Sequence, residues 1–215
     1  RDAEEASLHE IINSLNADPS LHGILLQLPL PKHIDSRKAL ELIDPAKDVD
    51  CFHPLNVGKY SIGYPFLLPC TPAGVMELLE RTGISIFGKD CVMIGKSNIV
   101  GKPMAILLMN ENATVAVCHS KTSNLADYCR KADIIITAAG SPGLVTGSMI
   151  KEGAVIIDVG ITRAAEGRIV GDVDFESVSG IAGWVTPVPG GVGPMTIAML
   201  MGNVIKAAKS ANKIG

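Results

Sequence analysis

The chain has 215 residues, 47% hydrophobic and 19% charged, which supports one substantial core or two modest ones and is the composition of a globular rather than a disordered protein. A formal charge of −3 leaves no electrostatic footprint for nucleic acid or an anionic membrane surface. The apolar runs fall far short of the roughly 20 residues that span a bilayer, Arg1-Asp2-Ala3-Glu4-Glu5 is no secretory signal, and the 5 cysteines lack a Cys-x-x-Cys pair, so a cytoplasmic protein with reduced thiols and no metal is expected.

Leu8, Ile11, Ile12 and Leu15 fall at the spacing of an amphipathic helix, which Asn16-Ala17-Asp18-Pro19 ends. Gly23-Ile24-Leu25-Leu26-Gln27-Leu28 is a continuous apolar run broken by Pro29 and Pro31, and predicts a buried parallel strand delivering Gln27 at its carboxyl end. Ala39, Leu40, Leu42 and Ile43 predict a short helix stopped at Asp44-Pro45. Next comes an irregular polar loop, Lys47-Asp48-Val49-Asp50-Cys51-Phe52-His53-Pro54, of the kind that carries binding groups. Thr71 and Pro72 read as the N-cap and first turn of a helix to about Arg81 that buries Val75, Met76, Leu78 and Leu79, with a domain boundary nearby.

Strand-length apolar runs at 91–94, 114–118, 133–139 and 154–159 then alternate with helix-like segments, predicting a parallel sheet with helices on both faces. After the first of these strands, Gly95-Lys96-Ser97-Asn98-Ile99-Val100-Gly101-Lys102-Pro103 opens a helix whose amino end offers N–H groups and a positive dipole to an anion. The spacing is not Gly-x-Gly-x-x-Gly, so a merely structural turn is the alternative. A site for NAD commonly places an acid at the end of the next strand. Here Cys118-His119-Ser120-Lys121-Thr122 has none, Ser120 can donate to a phosphate, and Lys96 or Lys121 either supplies charge or is a solvated surface cation, so NADP is favoured. His119 is read as a packing or orienting residue. Ala138-Ala139-Gly140-Ser141-Pro142-Gly143 and Asp158-Val159-Gly160-Ile161 end two further strands at the carboxyl edge, where nucleotides bind; Ile161 lies near the nicotinamide or in the core.

Thr-Pro-Val-Pro-Gly-Gly-Val-Gly-Pro-Met-Thr, residues 186–196, runs into a last apolar helix. Pro187 and Pro189 hold the approach extended, Gly190, Gly191 and Gly193 permit positive φ, and Pro194 suits a first helical turn. Pro189, Gly190, Gly191, Val192, Gly193 and Pro194 can press bare backbone against a ligand, or form only a tight connector.

Taken together and in order, residues 21–31 ending Leu-Gln-Leu-Pro-Leu-Pro, 47–54, Leu68-Pro69-Cys70-Thr71-Pro72, 95–103, 119–122 and 186–196 closely resemble the bifunctional methylenetetrahydrofolate dehydrogenase/methenyltetrahydrofolate cyclohydrolase family. The resemblance covers essentially the whole chain. It implies NADP-linked oxidation of 5,10-methylenetetrahydrofolate to the 5,10-methenyl form and hydrolysis to 10-formyltetrahydrofolate at one shared site, in a homodimer. It implies an α/β architecture of two domains with a cleft between them: a substrate (folate) domain of residues 1–70 and 190–215, incomplete at its amino end, and a Rossmann-like parallel-sheet NADP domain of residues 71–189. By position Gln27 matches the family glutamine that supports the catalytic lysine, and Asp50 the aspartate that holds the pterin. A carboxylate offers two acceptors to neighbouring pterin donors; the plain alternative is that Asp50 caps a turn. Gly95, Lys96, Ser97, Ser120 and Ile161 fall on the cofactor side and the 189–194 loop on the folate side.

Two departures from the family matter. The Tyr-x-x-x-Lys segment that supplies the proton-transferring lysine precedes the strand carrying Gln27, and no position of this chain matches it; Tyr60 and Tyr64 come too late, and Lys32 and Lys47 do not take the role. A fragment, or a removed or unplaced amino-terminal segment, is therefore expected. The competing readings are a non-catalytic NADP- or folate-binding fragment and a dehydrogenase resembling shikimate dehydrogenase, the latter opposed by the strings at 48–54 and 186–196. Secondly, Cys51 stands where the family usually has Gly, so a positive φ there forces a different backbone conformation, and a thiol near the pterin makes activity oxidation-sensitive.

Overall fold

The computed structural model describes residues 4–164 and 167–214. Residues 1–3, and with them most of the stretch weighed as a secretory signal, lie outside the described residues, as do Ala165, Glu166 and Gly215. The chain divides into two units, Arg1–Cys70 with Met199–Gly215, and Thr71–Ala198.

In the first unit, helix α1 (Glu5–Ala17) turns Ile12 into a small core with Ile24, Ala39 and Ile43, bordered by Leu8 and Leu15. Ile11, the remaining member of the predicted stripe, is 56% exposed. The carboxyl end of α1 is capped from a distance: the Lys47 ammonium donates to the carbonyls of Leu15, Asn16 and Asp18 at 2.9, 2.7 and 2.7 Å, where the helix dipole is negative. Helix α2 (Ser36–Leu42) starts at Asp35, whose carboxylate accepts from the Arg37 and Lys38 N–H groups. Helix α3 (Pro54–Ser61) has proline in its first turn and the His53 ring as cap, Nδ1 accepting from Leu55 N–H.

The strand predicted over 23–28 does not form. Ile24 makes a single parallel bridge to Asp48, its N–H donating to the Lys47 carbonyl at 2.7 Å. A ladder needs an extended neighbour along its length, and the neighbouring segment turns away at Cys51, where φ is +62°. Burial therefore alternates: Ile24 is 7% exposed, Leu25 46%, and Gln27 is exposed.

Helix α4 (Cys70–Arg81) starts on the last residue of the first unit, one residue before the predicted cap, and its remainder opens the second. Thr71 lies inside the first turn, and its hydroxyl pairs with that of Thr196 at 3.0 Å instead of capping. In chain order follow β1 (Asp90–Ile94), α5 (Gly101–Asn110), β2 (Thr114–Cys118), α6 (Leu125–Lys131), β3 (Ile134–Thr137), β4 (Val155–Asp158), β5 (Thr162–Arg163), β6 (Ile169–Val170), α7 (Phe175–Ser179), β7 (Trp184–Val185) and α8 (Val192–Ala211). The chain passes back to the first unit within α8.

Five of these strands form one sheet in the order β2-β1-β3-β4-β7, every pairing parallel, while β5 and β6 make a short antiparallel hairpin. All residues of β3 and β4 are buried, and since alternate side chains point to opposite sides, both faces of the sheet are covered. Val92, Ile94, Ile135 and Ile156 share one core with Cys129 of α6 and Val178 of α7. Helix α5 packs on β1 and β2 and buries Met104 and Leu108 completely. The chain moves outward from β1 to β2 and then returns to β3 on the other side. Consequently β1 and β3 flank a topological switch point, with a crevice beyond their carboxyl ends.

Candidate active site

Gly95 stands at that crevice. Its φ is +122°, and a Cβ there would lie 2.5 Å from the Ala138 carbonyl oxygen at the end of β3. No side chain fits, so backbone is presented bare at the switch point. The following turn corrects one expectation. The first N–H groups of α5 are not free: the Ser97 hydroxyl accepts from Val100 and Gly101 at 3.1 and 3.3 Å, and the Ser97 carbonyl accepts from Lys102. The turn keeps for an anion the helix dipole, the hydroxyl of the exposed Ser97, whose own proton is not used in those two bonds, and the exposed ammonium of Lys96. At the end of β2, His119 closes a turn, its Nδ1 accepting from Lys121 N–H at 3.1 Å and its own N–H donating to the Thr122 hydroxyl at 2.9 Å. This orienting role leaves Ser120 and Lys121 exposed, with no acid among residues 118–122.

A cavity of about 550 Å³ lies in the same unit, and Pro189, Gly190, Gly191, Val192, Gly193 and Pro194 all line it. Ile161, 65% exposed, and Gly160 line it as well, so the structure brings the proline-glycine loop and Ile161 together and places Ile161 on a wall rather than in the core. Gly95, Lys96, Ser97 and Ser120 are not part of this lining; they gather at the strand ends, with Val100 linking the turn to the cavity. A second cavity, of about 360 Å³, is lined by Asp90, Thr114 and Tyr128 near the amino ends of β1 and β2 and contains none of the candidate residues.

Two carboxylates at the cavity wall, Asp158 in its lining and Asp172 behind it, have roles that sequence reasoning does not reach. Asp158 and Asp172 are 3% and 0% exposed. Asp158 accepts from the N–H groups of Gly160, Asp172 and Val173 at 2.9, 3.0 and 2.9 Å. Asp172 accepts from the Thr137 hydroxyl and from Ala139, Gly140 and Ser141 N–H at 2.9, 2.6, 3.2 and 2.7 Å. Burial holds the Asp158 carboxyl above the usual carboxylate range against its three N–H donors, and the like charge of Asp172 adds to this. An aspartate in a loop ordinarily reads as a solvated turn residue, so only Asp158, at the end of an apolar run, carried a hint.

In the first unit, Asp50 lies half-buried beside Cys70, whose thiol points to Asp50 Oδ1 at 3.8 Å. Desolvation, then the charge of Asp48, raises the Asp50 carboxyl above its ordinary range. The loop is organised by Asp48, 1% exposed, which accepts from Phe52 and His53 N–H and from the Asn56 amide at 3.1, 2.8 and 2.9 Å. Asn203 of α8 donates to the carbonyls of Val49 and Leu68, both at 2.8 Å; a polar residue within an apolar helix was the available signal. Gln27 turns its amide to the adjacent Leu28 carbonyl at 3.1 Å. Cys51 does adopt positive φ, but the thiol expectation fails: the side chain is 1% exposed and bonded to the Leu67 carbonyl, and burial pushes its thiol far above the ordinary range. A buried, protonated thiol is a poor target for oxidants.

The sequence profile of the tetrahydrofolate dehydrogenase/cyclohydrolase NAD(P)-binding domain matches residues 69–212, and that of the catalytic domain of the same family matches residues 1–50. The bifunctional protein FolD of Acetivibrio thermocellus is 60% identical over 210 residues, covering 98% of this chain and 74% of that protein. The crystal structure of the bifunctional FolD enzyme of Campylobacter jejuni is 55% identical with a TM-score of 0.94, covering 97% of this chain and 74% of that one. The Trypanosoma brucei methylenetetrahydrofolate dehydrogenase-cyclohydrolase, solved with NADP cofactor and inhibitor, is 45% identical with a TM-score of 0.94 over 98% of this chain and 74% of that one. With profiles matching in both units and this degree of identity along nearly its whole length, the chain belongs to the tetrahydrofolate dehydrogenase/cyclohydrolase family.

Proposed function

We propose that the chain carries the NADP-linked oxidation of 5,10-methylenetetrahydrofolate to 5,10-methenyltetrahydrofolate and the hydrolysis of that product to 10-formyltetrahydrofolate. The observation that carries the cofactor half is the switch-point glycine, Gly95, which leaves no room for a Cβ, followed by a β2 end that presents Ser120 and Lys121 in place of a carboxylate. These residues fit a dinucleotide with a 2′-phosphate: bare backbone for close approach, a hydroxyl and ammonium for the extra phosphate, and no like charge to repel it. When bound, NADP supplies the hydride acceptor. Ile161 gives the nicotinamide an apolar wall, the 189–194 loop lining the same cavity takes the folate side, and Asp50 supplies a carboxylate fork to the pterin.

The hydrolysis needs a proton carrier within hydrogen-bond reach of the reacting atom. Lys47 is committed to the end of α1 and does not take that role, and Gln27 retains the supporting role implied by position. The test is an absorbance assay of the purified chain with methylenetetrahydrofolate and NADP, its intact mass checked in the same sample. Methenyl product forming faster with NADP than with NAD is expected. Binding of both ligands without product would overturn the catalytic reading and leave a binding one. Among the described residues no helix is long and apolar enough to cross a membrane; a cytoplasmic homodimer completes the proposal, with sedimentation at twice 22.5 kDa as the expected outcome.

A further inference from the structure

The chemistry above leaves the two buried carboxylates of the second unit without a task. We infer that Asp172, acting through Asp158, is a positioning residue for the dinucleotide: it fixes the loop after β3 and the cavity wall at Gly160 and Ile161. Three successive N–H groups, of Ala139, Gly140 and Ser141, converge on the Asp172 carboxylate. Consecutive backbone N–H groups of this kind make an anion-binding nest. An internal carboxylate fills it, so these donors are withheld from a phosphate, which is left to the Gly95–Ser97 turn. The Asp172 N–H in turn donates to Asp158, and Asp158 takes the Gly160 N–H next to Ile161. The glycines complete the device. A Cβ on Gly160 would lie 2.6 Å from Asp172 Oδ1, and one on Gly171 2.6 Å from Asp158 Cγ, so neither carboxylate could reach its donors past a side chain.

This assignment rests on the NADP reading, so NADP titration of the unaltered protein comes first, and failure of that protein to bind would remove both. Asp172→Asn keeps shape but turns an amide donor against backbone donors; Thr137→Val removes one hydroxyl donor and is nearly isosteric. Calorimetric titration of each, with folding checked by circular dichroism, should show NADP Kd raised about tenfold for D172N and roughly threefold for T137V, the scale of one charge-assisted and one weaker hydrogen bond. KM for NADP should rise with Kd, and kcat at saturating cofactor should change far less. A purely structural role would lower the melting temperature and leave the affinity of the folded protein untouched. Should D172N fail to fold, T137V decides; folded variants binding NADP as tightly as the unaltered protein would overturn the assignment while the proposed function stands.

Discussion

At φ +62°, Cys51 holds a backbone conformation that costs an L-residue about 1 kcal/mol and costs glycine almost nothing. Against this stands the packing of a thiol 1% exposed. Cys51→Ala loses the sulfur and keeps the strain, whereas Cys51→Gly loses the sulfur and relieves it. Urea unfolding should therefore find the glycine variant more stable than the alanine variant by about 1 kcal/mol. Asp50 gives a second contrast. Burial, then Asp48, raises its folded pKa above the unfolded one, so its favourable contribution is complete only below the ordinary carboxylate value and is lost as pH rises through the folded value. At neutral pH the ionised carboxylate is a cost. Asp50→Asn, which keeps an acceptor for the Cys70 thiol, should raise the melting temperature at pH 7 by a margin that narrows as pH falls toward about 4, and should weaken folate binding at the same time. A rise in melting temperature independent of pH would contradict the titration argument.

Among the elements, the β1–Gly95–α5 junction combines the tightest steric demand with the clearest signal in the residues. Gly95→Ala must move either its own backbone or the Ala138 carbonyl, because no flexible side chain is there to yield. Calorimetry should show NADP affinity falling at least about tenfold while folding persists; unchanged affinity would mean that the turn is only a connector. This junction was legible because an apolar run, a glycine turn and a second apolar run each announce one element. The strand expected at 23–28 has no such support: its apolar run says that the segment avoids water, and strand formation depends on a neighbour that only the fold supplies. Helix α3 gives a weak signal in sequence because Asn56, Gly58 and Lys59 dilute its apolar face, although Pro54 marks its start. The β5–β6 hairpin is two residues deep on each side, too short for any period to show. The roles of Asp48, Asp158 and Asp172 were hidden for another reason. They are buried and acceptor-saturated, and the donors that permit this come from chain segments as much as 35 residues away.

For the molecule as a whole, the first unit is discontinuous in sequence: residues 199–215 complete a unit begun by residues 1–70. Asn203 is a principal tie, satisfying carbonyls 154 and 135 residues earlier. Asn203→Ala leaves both without that donor and should lower unfolding stability by about 2 kcal/mol, seen as a lower denaturant midpoint; no shift would mean that water replaces the amide freely. The same tie imposes an order on synthesis. At roughly 5–20 residues per second, a ribosome needs about 8–30 s to travel the 154 residues from Val49 to Asn203. Through that interval the carbonyls of Val49 and Leu68 are without the Asn203 donor, while the residues of the second unit's sheet are still being added. A chain arrested after β7 and before Asn203 would carry every strand of the sheet and an unclosed first unit, which is the form that chaperones and proteases would meet.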